Sequence, residues 1–381
     1  MPLVTRTAFV HRLATSAPDD VSALEAALGD GSIDARGIVA ILGKTEGNGN
    51  VNDFTRAFAV RALKDALRPH LSPSEVEAVS YVMSGGTEGA MSPHLVVFGR
   101  GEAAAAGSSP ALAVGGAHTP DMAFEDLGRL GQVRLVAEGV RAAMRDAGID
   151  DPADVHFVQI KCPLLTAERI AAVDARGGSV AVRDTLKSMG LSRGASALGV
   201  ALALGEIEPA AMTDAVIGRD PSLWSSRAST SAGVELMNHE IVVMGMSAKW
   251  SGPLAIDHAV MADGIDIEPV RAALRRLGLS ADGQLSAAER PALVALLAKA
   301  EAPSTGRLRG LRHTMLDDSD ISSTRHARAF VAGSLGSLVG HAGIYVSGGA
   351  EHQGPDGGGP VAVIVDRRLV PSFPASGGPQ S

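Results

Sequence analysis

The stretch Y-V-M-S-G-G-T-E-G at residues 81–89 recurs twice along the chain, as A-S-T-S-A-G-V-E-L at 228–236 and as I-Y-V-S-G-G-A-E-H at 344–352. The three copies share the core S-[GA]-G-x-E. A short run rich in β-branched residues follows each copy, at 94–98, 240–244 and 361–365. Because glycine turns bounded by such runs join strands, each copy predicts a strand, a tight turn and a second strand.

Two further elements precede each serine-glycine turn in the same order. The first is a strand-like apolar run that ends in a lysine, at Lys44, Lys161 and Lys299. The second is a helix of small residues that begins at an arginine, at Arg56, Arg193 and Arg325. Short polar side chains that can cap these helices stand at Asp53, at Ser192 and at Ser323 or Thr324.

An amphipathic helix precedes the lysine strands, most clearly at 133–148 and 270–278. The lysine-to-serine separations are 40, 70 and 48 residues, so the copies differ by insertions in their loops. A solenoid keeps a short and regular period, which this spacing excludes. The pattern predicts an α/β fold of three homologous repeats, at 1–104, 112–249 and 255–381, around a pseudo-threefold axis with the active site at the centre.

The composition narrows the classes of partner. The chain has 381 residues, 45% of them hydrophobic, and 34 Lys and Arg against 42 Asp and Glu give a formal charge of −8. Binding to a nucleic acid needs a basic surface with interleaved aromatics, and aromatics are only 3% here, so we expect no nucleic acid. The single cysteine, Cys162, excludes a disulfide framework and fits the reducing cytoplasm. No apolar run is long enough for a signal peptide or a membrane span, so we expect no membrane association.

The repeated polar residues support one kind of chemistry. A serine hydroxyl becomes a nucleophile when a base removes its proton, and a lysine can do so if its pKa is lowered. Three lysines and three arginines around one axis repel one another, which favours the neutral amine in at least one lysine. The pattern predicts a pocket for a small, flat, oxygen-rich and weakly acidic ligand. It leaves open which Ser-Lys pair reacts, and whether the pocket binds its ligand without turnover.

Other catalytic patterns fail on inspection. The letters G-K-T at 43–45 resemble the end of a P-loop, but Ile38 stands where the first glycine is required. The sequence contains no H-E-x-x-H and no H-x-H, which argues against zinc-dependent hydrolysis.

The third copy continues into the loop G-G-A-E-H-Q-G-P-D-G-G-G-P at 348–360. Its backbone carbonyls, with Gln353 and Asp356, offer the oxygen ligands that a hard cation prefers, and Glu301 can complete the set. An ordinary loop rich in glycine and proline is the simpler explanation of the same letters.

Taken together, these motifs resemble the cyanuric acid hydrolase and barbiturase family of ring-opening amidases. The resemblance covers essentially the whole chain and rests on G-K-T-E-G-N-G at 43–49 and on the three serine-glycine turns. It implies three α/β repeats around a central active site, and a homotetramer. It also implies hydrolysis of the cyclic imide cyanuric acid to carboxybiuret, which loses carbon dioxide to give biuret, with barbituric acid as the nearest rival substrate.

By this resemblance the nucleophile is Ser231 and the general base is Lys161, with Lys44 and Lys299 in two further dyads. The family's substrate-binding residues correspond to Arg56, Ser84, Gly85, Arg193, Ser231, Ala232, Arg325, Ser347 and Gly348. Its structural magnesium or calcium site corresponds to Glu301, Ala350, Gln353, Gly354, Pro355 and Gly358. No catalytic cofactor is implied. Ala232 stands where the other two turns have glycine, a departure that distinguishes the second copy.

Overall fold

The computed structural model describes residues 5–103 and 109–371. It contains three four-stranded sheets with the same arrangement of strands. The first sheet contains β1 (Arg6–Ala14), β2 (Ile38–Thr45), β3 (Ser80–Gly85) and β4 (His94–Glu102). The second contains β5 (Ala111–His118), β6 (Val155–Pro163), β7 (Ala228–Gly233) and β8 (Glu240–Ser247). The third contains β9 (Leu254–Met261), β10 (Leu293–Ala300), β13 (Tyr345–Gly348) and β14 (Gly359–Asp366), and the small hairpin β11 (Arg307–Leu308) and β12 (Leu311–Arg312) is inserted before β13.

The strands follow the same order in every sheet: β1-β4-β2-β3, β5-β8-β6-β7 and β9-β14-β10-β13. The strand that ends in lysine runs parallel to the strand that carries the serine, and the other neighbours are antiparallel. A bulge interrupts the register near the start of the lysine strand in all three sheets. The prediction of three α/β repeats is confirmed.

Eight α-helices accompany these sheets in the described part of the chain. Those of the first repeat are α1 (Ser22–Gly29), α2 (Phe54–Leu67) and α3 (Pro73–Ala78). Those of the second are α4 (Leu130–Ala147), α5 (Ala167–Ala175) and α6 (Thr185–Ala203), and those of the third are α7 (Glu268–Arg276) and α8 (Ser323–Val339). None of these eight helices is both long and apolar enough to cross a membrane.

Each sheet buries both of its faces. The outer face packs against helices of the same repeat, as α4 and α6 do on the second sheet. The inner face packs against the other two sheets in a central core that includes Leu42, Phe157 and Leu297. Burial of one such side chain contributes about 1.5–3 kcal/mol. Because both faces are buried, the lysine strands read as continuous apolar runs, and the three repeats meet around one axis.

Only one of the three predicted helix caps is correct. Asp53 caps α2, because its carboxylate accepts from a backbone N–H in the first turn. Ser192 is not a cap, since Asp184 caps α6 earlier and Ser192 lies inside the helix. In α8 the cap position falls on Ser322, one residue before the predicted position, and its side chain makes no capping hydrogen bond. The helices α2 and α8 therefore begin close to their predicted arginines, whereas α6 begins two turns before Arg193.

Candidate active site

The register of the parallel strand pairs places a lysine directly opposite a serine in each repeat. The pairs are Lys44 with Ser84, Lys161 with Ser231 and Lys299 with Ser347. The insertions that make the lysine-to-serine separations unequal lie between the strands, so they leave this register intact. The structure thus brings the members of all three predicted pairs together at equivalent positions.

Each lysine also reaches the next repeat. Its Nζ donates to the carbonyl that precedes the neighbouring serine, from Lys44 to Val346 (2.8 Å), from Lys161 to Met83 (2.8 Å) and from Lys299 to Thr230 (2.9 Å). The first repeat thereby contacts the third, the second contacts the first and the third contacts the second. These hydrogen bonds close a ring around the axis and hold the serine strands against one another.

Burial lowers the pKa of all three lysines. Each residue is at most 1% exposed, and a buried amine loses the water that stabilises its charged form. A nearby arginine adds repulsion in each case: Arg328 at Lys44, Arg56 at Lys161 and Arg193 at Lys299. The pKa of Lys299 falls to about 7. Amines of this kind can accept a proton near neutral pH.

In the first and third repeats the lysine holds the hydroxyl of its own serine. Lys44 Nζ donates to Ser84 Oγ at 3.1 Å, and Lys299 Nζ donates to Ser347 Oγ at 3.3 Å. A hydroxyl that accepts from an amine keeps its own hydrogen free to donate. These two serines are therefore arranged to donate a hydrogen bond to a ligand.

The second pair has the same register and different contacts. Among the described residues no lysine donates to Ser231, whose Oγ lies 3.1 Å from Ser347 Oγ. Lys161 Nζ instead lies 3.1 Å from Oε1 of Glu235. The hydroxyl of Ser231 is therefore the one that its own lysine leaves free.

The glutamate of each S-[GA]-G-x-E motif pairs with a cation, and the partner differs among the repeats. Two of them bind an arginine of another repeat through two hydrogen bonds: Glu88 binds Arg328 (2.6 and 2.9 Å) and Glu351 binds Arg193 (2.6 and 2.8 Å). Although burial opposes its ionisation, Lys161 and Arg56 hold the pKa of Glu235 below its ordinary value. No role was predicted for these glutamates, and their recurrence in the motif is the signal that identifies them.

Three arginines line the cavity between the serines, and one of them is not the predicted one. Arg56 and Arg193 are present as predicted, and the third is Arg328. The predicted Arg325 does not line this cavity. It lies three residues before Arg328 on α8, and both arginines donate to Glu88. The side chain of Arg325 is 37% exposed, whereas that of Arg328 is 4% exposed. The letters R-A-F that begin at Arg56 recur at Arg328, and this alignment identifies the arginine that lines the cavity.

The cavity is small and lies where the three repeats meet. Eight of the nine predicted substrate-binding residues line it: Arg56, Ser84, Gly85, Arg193, Ser231, Ala232, Ser347 and Gly348. The lining also includes Gly49, Met83, Met189 and Arg328, which were not predicted. Three hydroxyls and three guanidinium groups around one small cavity suit a flat ligand with carbonyl oxygens on every side.

Five of the six predicted metal ligands lie in the loop at 350–358, and the sixth, Glu301, lies against it. One carboxylate oxygen of Glu301 accepts from Ala350 N at 3.1 Å. Burial and the neighbouring carboxylate of Glu351 raise the pKa of Glu301. A divalent cation at this loop would relieve that repulsion, so the charge of the site fits one.

The side chains of the loop have other partners. The amide oxygen of Gln353 accepts from Thr230 N at 2.6 Å, and the carboxylate of Asp356 accepts from Ser304 N and Oγ. Gln353 therefore has its backbone carbonyl to offer an ion. Backbone carbonyls together with Glu301 form an all-oxygen donor set, which fits Mg²⁺ or Ca²⁺.

The sequence matches known proteins along almost its full length. A family model described as amidohydrolase ring-opening protein matches residues 9–366. A cyanuric acid amidohydrolase of Bradyrhizobium sp. (strain ORS 375) is 63% identical over 371 residues, which cover 96% of this chain and 100% of that protein. Another, from Azorhizobium caulinodans, is 64% identical over 360 residues and covers 94% of this chain and 98% of that protein.

Two solved structures share the architecture. The crystal structure of a cyanuric acid hydrolase from A. caulinodans superposes with a TM-score of 0.89 at 63% identity, covering 95% of this chain and 99% of that one. A second cyanuric acid hydrolase, described as an evolutionary innovation by structural concatenation, superposes with a TM-score of 0.91 at 48% identity, covering 95% of this chain and 100% of that one. Concatenation agrees with three sheets of equal strand order.

Proposed function

The chain belongs to the family of ring-opening amidohydrolases, and from this premise we propose that it hydrolyses cyanuric acid to carboxybiuret, which then loses carbon dioxide to give biuret. The observation that carries the proposal is the threefold set of serines and arginines around one cavity. Cyanuric acid has three equivalent carbonyls and three ring N–H groups, so three equivalent sets of donors can hold it on every side. The names of relatives at 63% and 64% identity support the same substrate.

In the proposed mechanism Ser231 is the nucleophile and Lys161 is the general base. The neutral amine of Lys161 takes the hydroxyl proton of Ser231 as Oγ forms a bond to a ring carbonyl carbon. The C–N bond of the ring then breaks, and the leaving nitrogen takes that proton from Lys161. Water attacks the acyl-enzyme, the ester bond to Oγ breaks, and a proton of the water returns to Ser231 through Lys161. Carboxybiuret is released, and both side chains regain their starting state.

Glu235 is the feature that favours the second pair over the other two. Lys161 becomes a buried ammonium when it takes the proton, and an unpaired buried charge is costly. The carboxylate of Glu235, 3.1 Å from the nitrogen, stabilises the charge that develops. The equivalent glutamates of the other repeats are held by arginines, and among the described residues neither Lys44 nor Lys299 forms an ion pair with a carboxylate.

The first and third pairs bind the substrate in this proposal. Ser84 and Ser347 accept from their lysines, so each can donate its hydrogen to a ring carbonyl. The guanidinium groups of Arg56, Arg193 and Arg328 supply further N–H donors to the same oxygens. We therefore assign to Arg328 the role that was predicted for Arg325.

We also propose a structural Mg²⁺ or Ca²⁺ ion at the loop after Ser347, held by Glu301 and by the backbone carbonyls of Ala350, Gln353, Gly354, Pro355 and Gly358. An ion there neutralises buried carboxylates and fixes the loop that continues from the third serine. It takes no part in the steps above. Removing it by chelation is expected to lower the melting temperature, and adding back Ca²⁺ or Mg²⁺ is expected to restore it.

The remaining expectations stay proposals of the same kind. We propose a homotetramer in the cytoplasm. The single cysteine, Cys162, is buried and free among the described residues, which suits a reducing compartment. Light scattering of the purified protein tests the assembly, and a mass other than four chains would contradict it.

The test of the substrate is to incubate the purified protein separately with cyanuric acid and with barbituric acid and to follow the loss of ring absorbance. We expect turnover of cyanuric acid, and none by the Ser231→Ala variant. Turnover confined to barbituric acid would move the assignment to a barbiturase. Binding of cyanuric acid by a folded sample without turnover would contradict hydrolysis and support a protein that only binds its ligand.

A further inference from the structure

A cluster of three side chains lies away from the central cavity, at the contact between the second and third repeats. His156 belongs to β6, and Asp257 and His258 are neighbours in β9. Nδ1 of His156 lies 2.9 Å from Nδ1 of His258 and 3.5 Å from Oδ1 of Asp257. We propose that these three residues bind a divalent transition-metal ion, with Zn²⁺ as the best fit.

The distances within the cluster suit a tetrahedral ion. Zinc binds histidine nitrogen and carboxylate oxygen at about 2.0–2.2 Å, so neighbouring ligands of a tetrahedral site lie about 3.3–3.5 Å apart. The distances of 2.9 and 3.5 Å are close to this range, and the three ligand atoms all lie within 4.8 Å of one another. A tetrahedral ion that takes these three atoms as ligands would keep one position for water.

The two imidazoles face each other through their Nδ1 atoms, and burial lowers the pKa of both rings. A neutral imidazole offers a lone pair to a metal ion without first losing a proton. The two facing Nδ1 atoms now share a single hydrogen bond, which an ion would replace with two coordinate bonds.

The carboxylate of the cluster is already held in place. Arg276 Nε donates to Oδ2 of Asp257 at 2.6 Å, so Oδ1 remains beside His156. A carboxylate ligand that a second residue orients in this way is common at metal sites. Arg227 also lies near both rings and would repel a cation, but Glu206 lies 4.0 Å from its Nε and offsets that charge.

The equivalent contact between the first and second repeats needs no such cluster. His156 lies at the bulge of its strand, and the bulges of β2 and β10 have Val39 and Val294 at that position. Gly116 of β5 corresponds to His258, and a side chain added at Gly116 would approach Val39 to 3.2 Å. Valine and glycine therefore fill the same contact, so packing alone does not require two histidines and an aspartate.

The test is a titration of the chelator-treated protein with Zn²⁺ by calorimetry, in a buffer with excess Mg²⁺ to occupy sites for hard cations. The variant His156→Val places at this bulge the residue that the first repeat has there, Val39, and so keeps an apolar side chain at the contact between the second and third repeats. His258→Gln is a second variant, at the other ring. His70→Ala removes an exposed histidine of the first repeat and serves as the control. Circular dichroism checks that each variant is folded.

We expect the wild type and the control to bind one Zn²⁺ more than either cluster variant. Zn²⁺ is also expected to raise their melting temperature, because an ion that binds only the folded state stabilises it by mass action. Equal zinc stoichiometry and affinity in the wild type and both cluster variants would overturn the proposal. Absence of zinc binding to the wild type would overturn it as well.

Discussion

The three Ser-Lys pairs have the same strand register, and the second pair differs from the other two in the contacts of its lysine. In every repeat the strand register places the amine opposite the serine. In the first and third repeats the amine also holds that serine, whereas Lys161 lies against Glu235. The fold thus supplies three equal positions, and the contact of Lys161 with Glu235 makes one of them different.

The largest expected effect is the loss of the proposed nucleophile or base. Ser231→Ala and Lys161→Met are each expected to lower kcat by about 10³-fold or more, because Ser231 forms the bond to the ring carbonyl and Lys161 carries the proton. Ser84→Ala and Ser347→Ala each remove one hydrogen bond to the substrate and are expected to raise KM by about tenfold. Steady-state kinetics on cyanuric acid measure all four. Equal losses in the three serine variants would mean that the pairs are not distinct.

The next effect tests the contact that separates the pairs. Glu235→Gln keeps the shape and removes the charge, and we expect kcat to fall by about 10–100-fold, because one charged hydrogen bond to the ammonium is lost. Glu235 raises the pKa of Lys161, and the base is active when neutral. Without that carboxylate the acidic limb of the pH profile of kcat is therefore expected to move to lower pH.

The matched control for this change is Glu351→Gln, which frees an arginine and leaves Lys161 untouched. It is expected to raise KM without moving the acidic limb. If both variants leave the limb of the pH profile in place, Glu235 has only a structural role.

A smaller effect distinguishes the two arginines of α8. Arg328→Lys is expected to raise KM by about tenfold, because lysine lacks the forked donors of arginine. Arg325→Lys is expected to change KM less than about twofold, because its half-exposed ion pair contributes little. A larger effect at Arg325 would mean that this arginine, as first predicted, contacts the substrate.

The fold could be predicted from the sequence because the serine-glycine motif occurs three times with the same neighbours. Each repeat must bury both faces of its sheet, so the apolar run before each lysine identifies a strand, and the helix between it and the serine strand is the crossover that parallel pairing requires. Loop insertions obscured the period but left the order of elements unchanged. The register that places lysine opposite serine in all three sheets was not predicted and is a finding of the structure.

The contacts between repeats could not be predicted in the same way. Arg325 and Arg328 lie on one helix within a turn of each other, and the prediction chose the wrong one although R-A-F recurs at Arg328; the packing of α8 against the first repeat places Arg328 at the cavity. The start of α6 was misjudged because Asp184 caps it well before its arginine. The ion pair of Lys161 and Glu235 depends on how neighbouring charges, Arg56 among them, share a buried space, and a linear motif does not contain that information.

The smallest expected effect tests the charge of the buried lysines through stability. The pKa of Lys299 is about 7 in the folded chain and has its ordinary value of 10.5 in the unfolded chain. Between pH 7 and pH 10.5 this lysine binds more protons in the unfolded chain than in the folded chain. The free energy of unfolding therefore rises with pH over this range, by at most about 1.4 kcal/mol per pH unit. Below pH 7 both states are protonated, and the folded state has the full cost of the buried charge.

The substitution Lys299→Met removes this dependence, so the free energy of unfolding of the wild type minus that of the variant is expected to rise from pH 7 to pH 9. Urea unfolding at steps of pH measures the difference. At Lys161 the carboxylate of Glu235 offsets part of the burial effect, so Lys161→Met is expected to show the same rise at higher pH. Identical curves for both lysines would mean that Glu235 does not affect the proton of Lys161, and the contrast between the second pair and the others would then lack its physical basis.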